Sequence, residues 1–116
     1  DERRIALREQ AARFARDQLS TDIAASDRLS VFHRDGWRRC AEFGLFSMAL
    51  PVECGGAGAP LSELLAVMEG LGYGSEDLGL LFSLNAHLWT VALPLAIHGT
   101  PTQRSRFLPG LMDGSL

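Results

Sequence analysis

Residues 98–114 read His-Gly-Thr-Pro-Thr-Gln-Arg-Ser-Arg-Phe-Leu-Pro-Gly-Leu-Met-Asp-Gly. Two helices meet inside this stretch. His98-Gly99 closes the first. Thr100, Pro101 and Gln103 open the second, as a threonine N-cap, a proline at the first helical position and a glutamine at the third. The new helix is expected over about 101–112 and carries Arg104, Arg106, Phe107 and Leu108.

The segment before it, residues 78–97, holds no charged residue. About 20 apolar residues would span a bilayer. Ser83, Asn85 and His87 sit near its middle, however, Pro94 interrupts it, and no basic cluster flanks it. A buried central helix explains the same pattern. It is expected to start after a Ser75 cap, with Glu76 and Asp77 at the positive end of its dipole, and to run to about Leu93, where Pro94 kinks or ends it.

Further upstream, Leu61, Leu64, Leu65, Met68 and Leu71 recur at helical spacing behind a Ser62 cap, and Gly70, Gly72 and Gly74 weaken the end of that helix. Residues 44–58 read Gly-Leu-Phe-Ser-Met-Ala-Leu-Pro-Val-Glu-Cys-Gly-Gly-Ala-Gly. Gly44 stops a helix over 33–43 whose Trp37, Cys40, Ala41 and Phe43 share a face, and residues 51–60 make a turn-rich loop. Residues 2–19 form an amphipathic helix with Leu7, Ala11, Phe14, Ala15, Gln18 and Leu19 inward and Glu9, Arg13 and Asp17 on a solvated face. Residues 20–31 read as a loop or broken helix. No period-2 run appears. The chain is therefore an all-α domain of five or six helices with two Gly/Pro-rich corners.

Its 116 residues make one domain, and a net charge of −3 gives no basis for nucleic-acid binding. All 11 basic residues are Arg, which points to a GC-rich, bacterial genome, and the two Cys read as reduced thiols of a cytoplasmic protein. Residues 1–20 hold five Arg and no apolar core of a signal peptide. Cys40 and Cys54 fit no metal spacing and no disulfide framework.

Few residues invite chemistry. Gly55, Gly56 and Gly58 follow no strand and precede no Lys-Ser/Thr pair, so a structural corner is the better reading; the alternative lays its backbone beside a cofactor or a neighbouring domain. His33, His87 and His98 show no metal-ligand spacing. His87 reads as a satisfied core residue, with a substrate contact as the alternative. Glu63, Glu69, Glu76 and Asp77 read as helix-start or solvated carboxylates. Nothing cationic adjoins Cys54 to activate it.

Order and spacing nevertheless resemble one enzyme family. Gly44-Leu45, Pro51 and Gly55-Gly56-Ala57-Gly58 are followed by Glu63 and Glu69, then His87, Pro94 and Gly99-Thr100, then Gln103, Phe107-Leu108-Pro109 and Gly114. This succession over 33–114 is similar to the N-terminal helical domain of the acyl-CoA dehydrogenases. Cys54 departs from it, standing where a bulky or aromatic residue is common.

The resemblance implies an orthogonal helical domain, spanning 1–116, of a three-domain flavoenzyme whose β-domain and C-terminal helical bundle lie outside these residues. It implies FAD, bound mainly elsewhere, and α,β-dehydrogenation of an acyl thioester, on CoA or on a carrier protein, to the trans-2-enoyl product. A Glu outside this chain removes the α-proton and flavin N5 takes the β-hydride, so no residue here is catalytic. It further implies an electron-accepting flavoprotein or oxygen as oxidant, and a homodimer or homotetramer. The helix matching 78–93 then lines the acyl-chain tunnel. Helical phase selects Phe82, Ala86 and Thr90 as substrate-binding candidates, the alternative being that they pack the core. So small a domain covers only part of its apolar surface, so an exposed apolar patch is expected near Phe82, Ala86 and Trp89. Two other functions fit the same sequence: a flavin monooxygenase or oxidase of the same fold, and a non-catalytic helical interaction module.

Overall fold

A helix start leaves backbone N–H groups free, and the helices among the described residues differ in whether a side chain answers them. The computed structural model describes residues 2–19 and 32–116, and the loop or broken helix expected over 20–31 lies outside the described residues. Among the described residues there are five helices: α1 (Glu2–Gln18), α2 (Arg34–Phe43), α3 (Leu61–Gly74), α4 (Leu78–His98) and α5 (Pro101–Asp113), with a 3₁₀ turn at Val52–Cys54.

At α5 the capping box forms as expected. Gln103 N–H donates to Thr100 Oγ1 at 3.1 Å, and Thr100 N–H donates to Gln103 Oε1 at 2.9 Å. Thr100→Ala is expected to cost about 1 kcal/mol, read as a lower melting temperature. At α4 the cap is Asp77, not Ser75: Asp77 Oδ1 accepts from Leu80 N–H at 3.0 Å, and Ser75 Oγ accepts from Asp77 N–H. At α3 the expected Ser62 cap is absent. The helix starts at Leu61 behind Pro60, with no side-chain cap. Ser62 therefore already lies inside the first turn, where its own backbone is helical.

Gly44 ends α2 in the left-handed region, at φ 96°, returning its N–H to the carbonyls of Ala41 and Cys40. The glycines late in α3 do more than mark its end. The helix continues through Gly74, and Gly70 and Gly74 let α1 approach: a Cβ on Gly70 would lie 2.1 Å from the Arg8 carbonyl oxygen, and one on Gly74 would lie 2.2 Å from that of Ala12. They face Ala11 and Ala15, so α1 and α3 meet nearly backbone to backbone. The same contact rotates α3. Glu63, Ala66, Val67 and Gly70 are buried beside Leu64 and Leu71, while Leu61 and Leu65 of the expected apolar face are exposed. Glu63, expected at a helix start or on a solvated face, lies in the first turn of α3 but is only 9% exposed and accepts from Arg3 of α1.

Pro94 neither ends nor breaks α4. A π-helical turn, Ala86–Ala92, precedes it, and the helix runs on to His98. Proline lacks an N–H and crowds the carbonyl four residues back; widening the preceding turn changes the register of hydrogen bonds at that point, and such turns occur as local insertions in α-helices. α4 is long and apolar enough, by length and composition, to cross a membrane. Here Leu80, Leu84, Leu88, Ala92 and Ala96, spaced by four, are buried in the core with Leu45, Phe46, Leu50 and Leu108. The domain measures 42 × 37 × 19 Å. Its short dimension holds about two helix layers, so α4 has covered and uncovered sides.

Candidate functional site

The uncovered side of α4 is apolar. Leu78 is 76% and Phe82 77% exposed, Ala86 and Trp89 are half-buried, and Thr90 is exposed. Backbone bonding links the three residues selected from the sequence: Ala86 N–H donates to the Phe82 carbonyl, and Thr90 Oγ1–H donates to the Ala86 carbonyl. They follow one another along the helix, and none is in the fully buried core. Thr90 also borders a groove of about 520 Å³ between α4 and α5, floored by Pro94, Leu95, Phe107 and Leu111. The expected patch is therefore present around Phe82, with Ala86 and Trp89 contributing only part of their surface.

Ser83, Asn85 and Thr90 of α4 are answered by the helix itself. Ser83 donates to the Gly79 carbonyl at 3.0 Å, Asn85 to that of Leu81 at 2.9 Å, and Thr90 to that of Ala86. Trp89 Nε1–H donates to Asn85 Oδ1 at 3.0 Å. These bonds leave the strip without an unpaired polar demand, which suits contact with an apolar chain. The Asn85–Trp89 pair carried one legible signal, its i, i+4 spacing.

His87 points away from this face. It is 8% exposed, and its Nε2–H donates to the Leu111 carbonyl at 2.8 Å. Its ring lies against Phe46 at 4.4 Å and edge-on to Trp37 at 4.9 Å. Burial pushes its pKa below the ordinary 6.5, against the opposing pull of the Leu111 carbonyl. It is a satisfied core histidine. Because the unfolded chain binds the proton more readily than the folded one, stability rises with pH across this titration. The contribution is whole above pH 6.5 and is lost as the pH falls below it. Melting curves from pH 7.5 down to 5 should show this loss, and His87→Gln should reduce it.

The glycine corner is closed on itself. The N–H groups of Cys54, Gly55, Gly56, Ala57, Gly58 and Ala59 donate to the carbonyls of Pro51, Val52, Pro51, Ser47, Leu50 and Met48. Gly55 and Gly58 need positive φ, 93° and 69°. No consecutive N–H groups are left to cradle a phosphate, so the corner is structural. Of the two thiols, Cys40 is buried and pushed up to about 12, which makes it inert at neutral pH; Cys54 is half-buried beside Arg104 and Ser105 in a cleft of about 360 Å³. Among the described residues no three of His, Cys, Asp and Glu gather where they could hold a metal ion.

Comparison with known proteins places this geometry in context. The profile of the acyl-CoA dehydrogenase N-terminal domain matches residues 1–115. The chain is 32% identical over 108 residues to L-prolyl-(peptidyl-carrier protein) dehydrogenase of Serratia sp. (strain ATCC 39006), covering 93% of this chain and 28% of that protein. It superimposes on the crystal structure of the prolyl acyl carrier protein oxidase AnaB with a TM-score of 0.92 at 35% identity, covering 99% of this chain and 30% of that one. On the FAD complex of PigA the TM-score is 0.89 at 29% identity, covering 100% of this chain and 30% of that one. The chain thus spans under a third of each of these proteins.

Proposed function

Since the chain belongs to the acyl-CoA dehydrogenase family and matches its N-terminal domain, we propose that it is the N-terminal part of an FAD-dependent enzyme that dehydrogenates an acyl thioester, and that α4 forms one wall of the acyl pocket through Phe82, Ala86 and Thr90. The observation that carries this reading is the uncovered, internally satisfied strip on α4, within a domain similar over its whole length to flavoenzyme domains.

The flavin itself is assigned to the rest of the protein. The corner that could have held a phosphate has spent its N–H groups. The general base is assigned elsewhere too. This chain's part is to shape the pocket and exclude water from it.

Likeness to two proteins named for prolyl carrier-protein substrates favours a carrier-bound thioester over CoA, and a cyclic amino-acyl group over a long fatty chain. The word oxidase in the name of one of them favours a second reading of the oxidant, molecular oxygen in place of an electron-accepting flavoprotein. A homodimer or homotetramer in a bacterial cytoplasm completes the reading.

The full-length protein is expected to purify yellow with bound FAD and to bleach on anaerobic mixing with prolyl-carrier protein. Colourless protein that takes up no FAD on reconstitution would overturn the reading. Bleaching by acyl-CoA alone would move the substrate to CoA. Oxygen uptake during turnover, without an added acceptor, would identify an oxidase.

A further inference from the structure

A helix ends with carbonyls that have no partner within it. At the end of α5 two side chains supply donors from elsewhere in the fold. His87 Nε2–H, from the π turn of α4, donates to the Leu111 carbonyl at 2.8 Å. Trp37 Nε1–H, from α2, donates to the Gly114 carbonyl at 3.0 Å. We propose that Trp37 and His87 are positioning residues that together fix the direction in which the chain leaves α5.

The two donors cannot drift independently. Their rings meet edge-on at 4.9 Å, and Phe46 lies 4.8 Å from Trp37 and 4.4 Å from His87. The backbone at the exit is equally confined. Gly114 has φ 82°, and a Cβ there would come 3.1 Å from Ala41 Cβ and 3.3 Å from Trp37 Nε1. Beyond it, Leu116 N–H turns back to the Gly110 carbonyl at 3.1 Å, and Ser115 N–H to Asp113 Oδ1 at 2.8 Å. α2, α4 and the last turn of α5 thus converge on one three-ring cluster.

His87 also adjoins Ala86 at the start of the π turn. One residue on α4 faces the proposed pocket, and the next holds the chain that leads out of the domain. The clamp therefore sets the proposed pocket wall against whatever segment follows Gly114. That consequence for the flavin site rests on the functional reading above; the clamp itself does not.

Hydrogen exchange on the full-length protein tests the clamp directly. His87→Leu and Trp37→Phe should each speed exchange at residues 112–116 by about tenfold, since each leaves a carbonyl without its donor. Amides of α1 and α3 should keep their wild-type rates. His87→Gln, whose amide nitrogen can still donate to Leu111, should restore slow exchange. Unchanged rates at 112–116 would overturn the proposal. So would acceleration spread evenly over all helices, or a Gln variant no slower than the Leu variant. Should His87→Leu fail to fold, Trp37→Phe and His87→Gln decide the matter. FAD retention is read on the same samples: wild type that holds no FAD sinks the functional reading and leaves the exchange result standing on its own.

Discussion

Gly70→Ala is expected to destabilise the domain by on the order of 3 kcal/mol, although alanine is the better helix former by about 1 kcal/mol. The added carbon would stand 2.1 Å from the Arg8 carbonyl oxygen and 2.8 Å from Ala11 Cβ. The nearest obstacle is backbone, which cannot swing aside as a side chain does. α1 must lift away from α3 along its length, and that loosens Ala11, Ala15 and the Arg3–Glu63 pair together. A lower melting temperature, by roughly 10 °C or more for a domain of this size, is the readout. Gly72→Ala is the internal control. Nothing lies within 4 Å of a Cβ at that position, so the same substitution two residues on should be neutral or stabilising by about 0.5–1 kcal/mol. Equal responses at the two positions would contradict the packing described.

Ala86→Phe in the full-length enzyme is expected to discriminate by substrate size. A ring on the uncovered face of α4 would occupy space that only larger acyl groups reach. kcat/KM should fall roughly 10- to 200-fold for bulky acyl thioesters, equivalent to about 1–3 kcal/mol, with little change for the smallest. A uniform loss across substrates would mean that Ala86 packs the domain and does not border the pocket. Phe82→Ala should act in the opposite sense and admit larger groups. A substrate profile identical to wild type would remove Phe82 from the wall.

Local signals in this sequence were legible wherever one short stretch determined the outcome. The Thr100–Gln103 box and the Gly44 stop both depend on neighbours within a turn or so, and both stand as read. What the sequence does not show is decided by a distant element. Gly70 and Gly74 read as weak points at a helix end, and their close contact with α1 appears only once α1 is laid against them. Glu63 reads as a helix-start or solvated carboxylate; it does lie in the first turn, but its burial against Arg3, sixty residues away, is not legible. Pro94 looks like an end because a π turn has no sequence signature of its own. The Ser62 and Ser75 caps failed differently: the N-cap position is taken by Pro60 in α3, with no side-chain cap, and by Asp77 in α4, whose carboxylate accepts from Leu80 N–H. For the candidate site, helical phase proposes Phe82, Ala86 and Thr90, and the structure leaves Phe82 and Thr90 exposed and Ala86 half-buried. The donors to Leu111 and Gly114 could not be read, since they join residues 24 and 77 positions apart.

The self-answered polar groups of α4 have a consequence for biosynthesis. An N-terminal domain leaves the ribosome before the remainder of its protein exists, and an apolar strip must then wait in water. Ser83, Asn85 and Thr90 hold their hydrogen bonds to their own helix whether the strip is wet or dry. In the proposed enzyme a later-made surface closes over it, and no hydroxyl or amide on that face then needs a new partner. Docking then gains from the water released, without a matching loss of hydrogen bonds, and the helix arrives already in its final form.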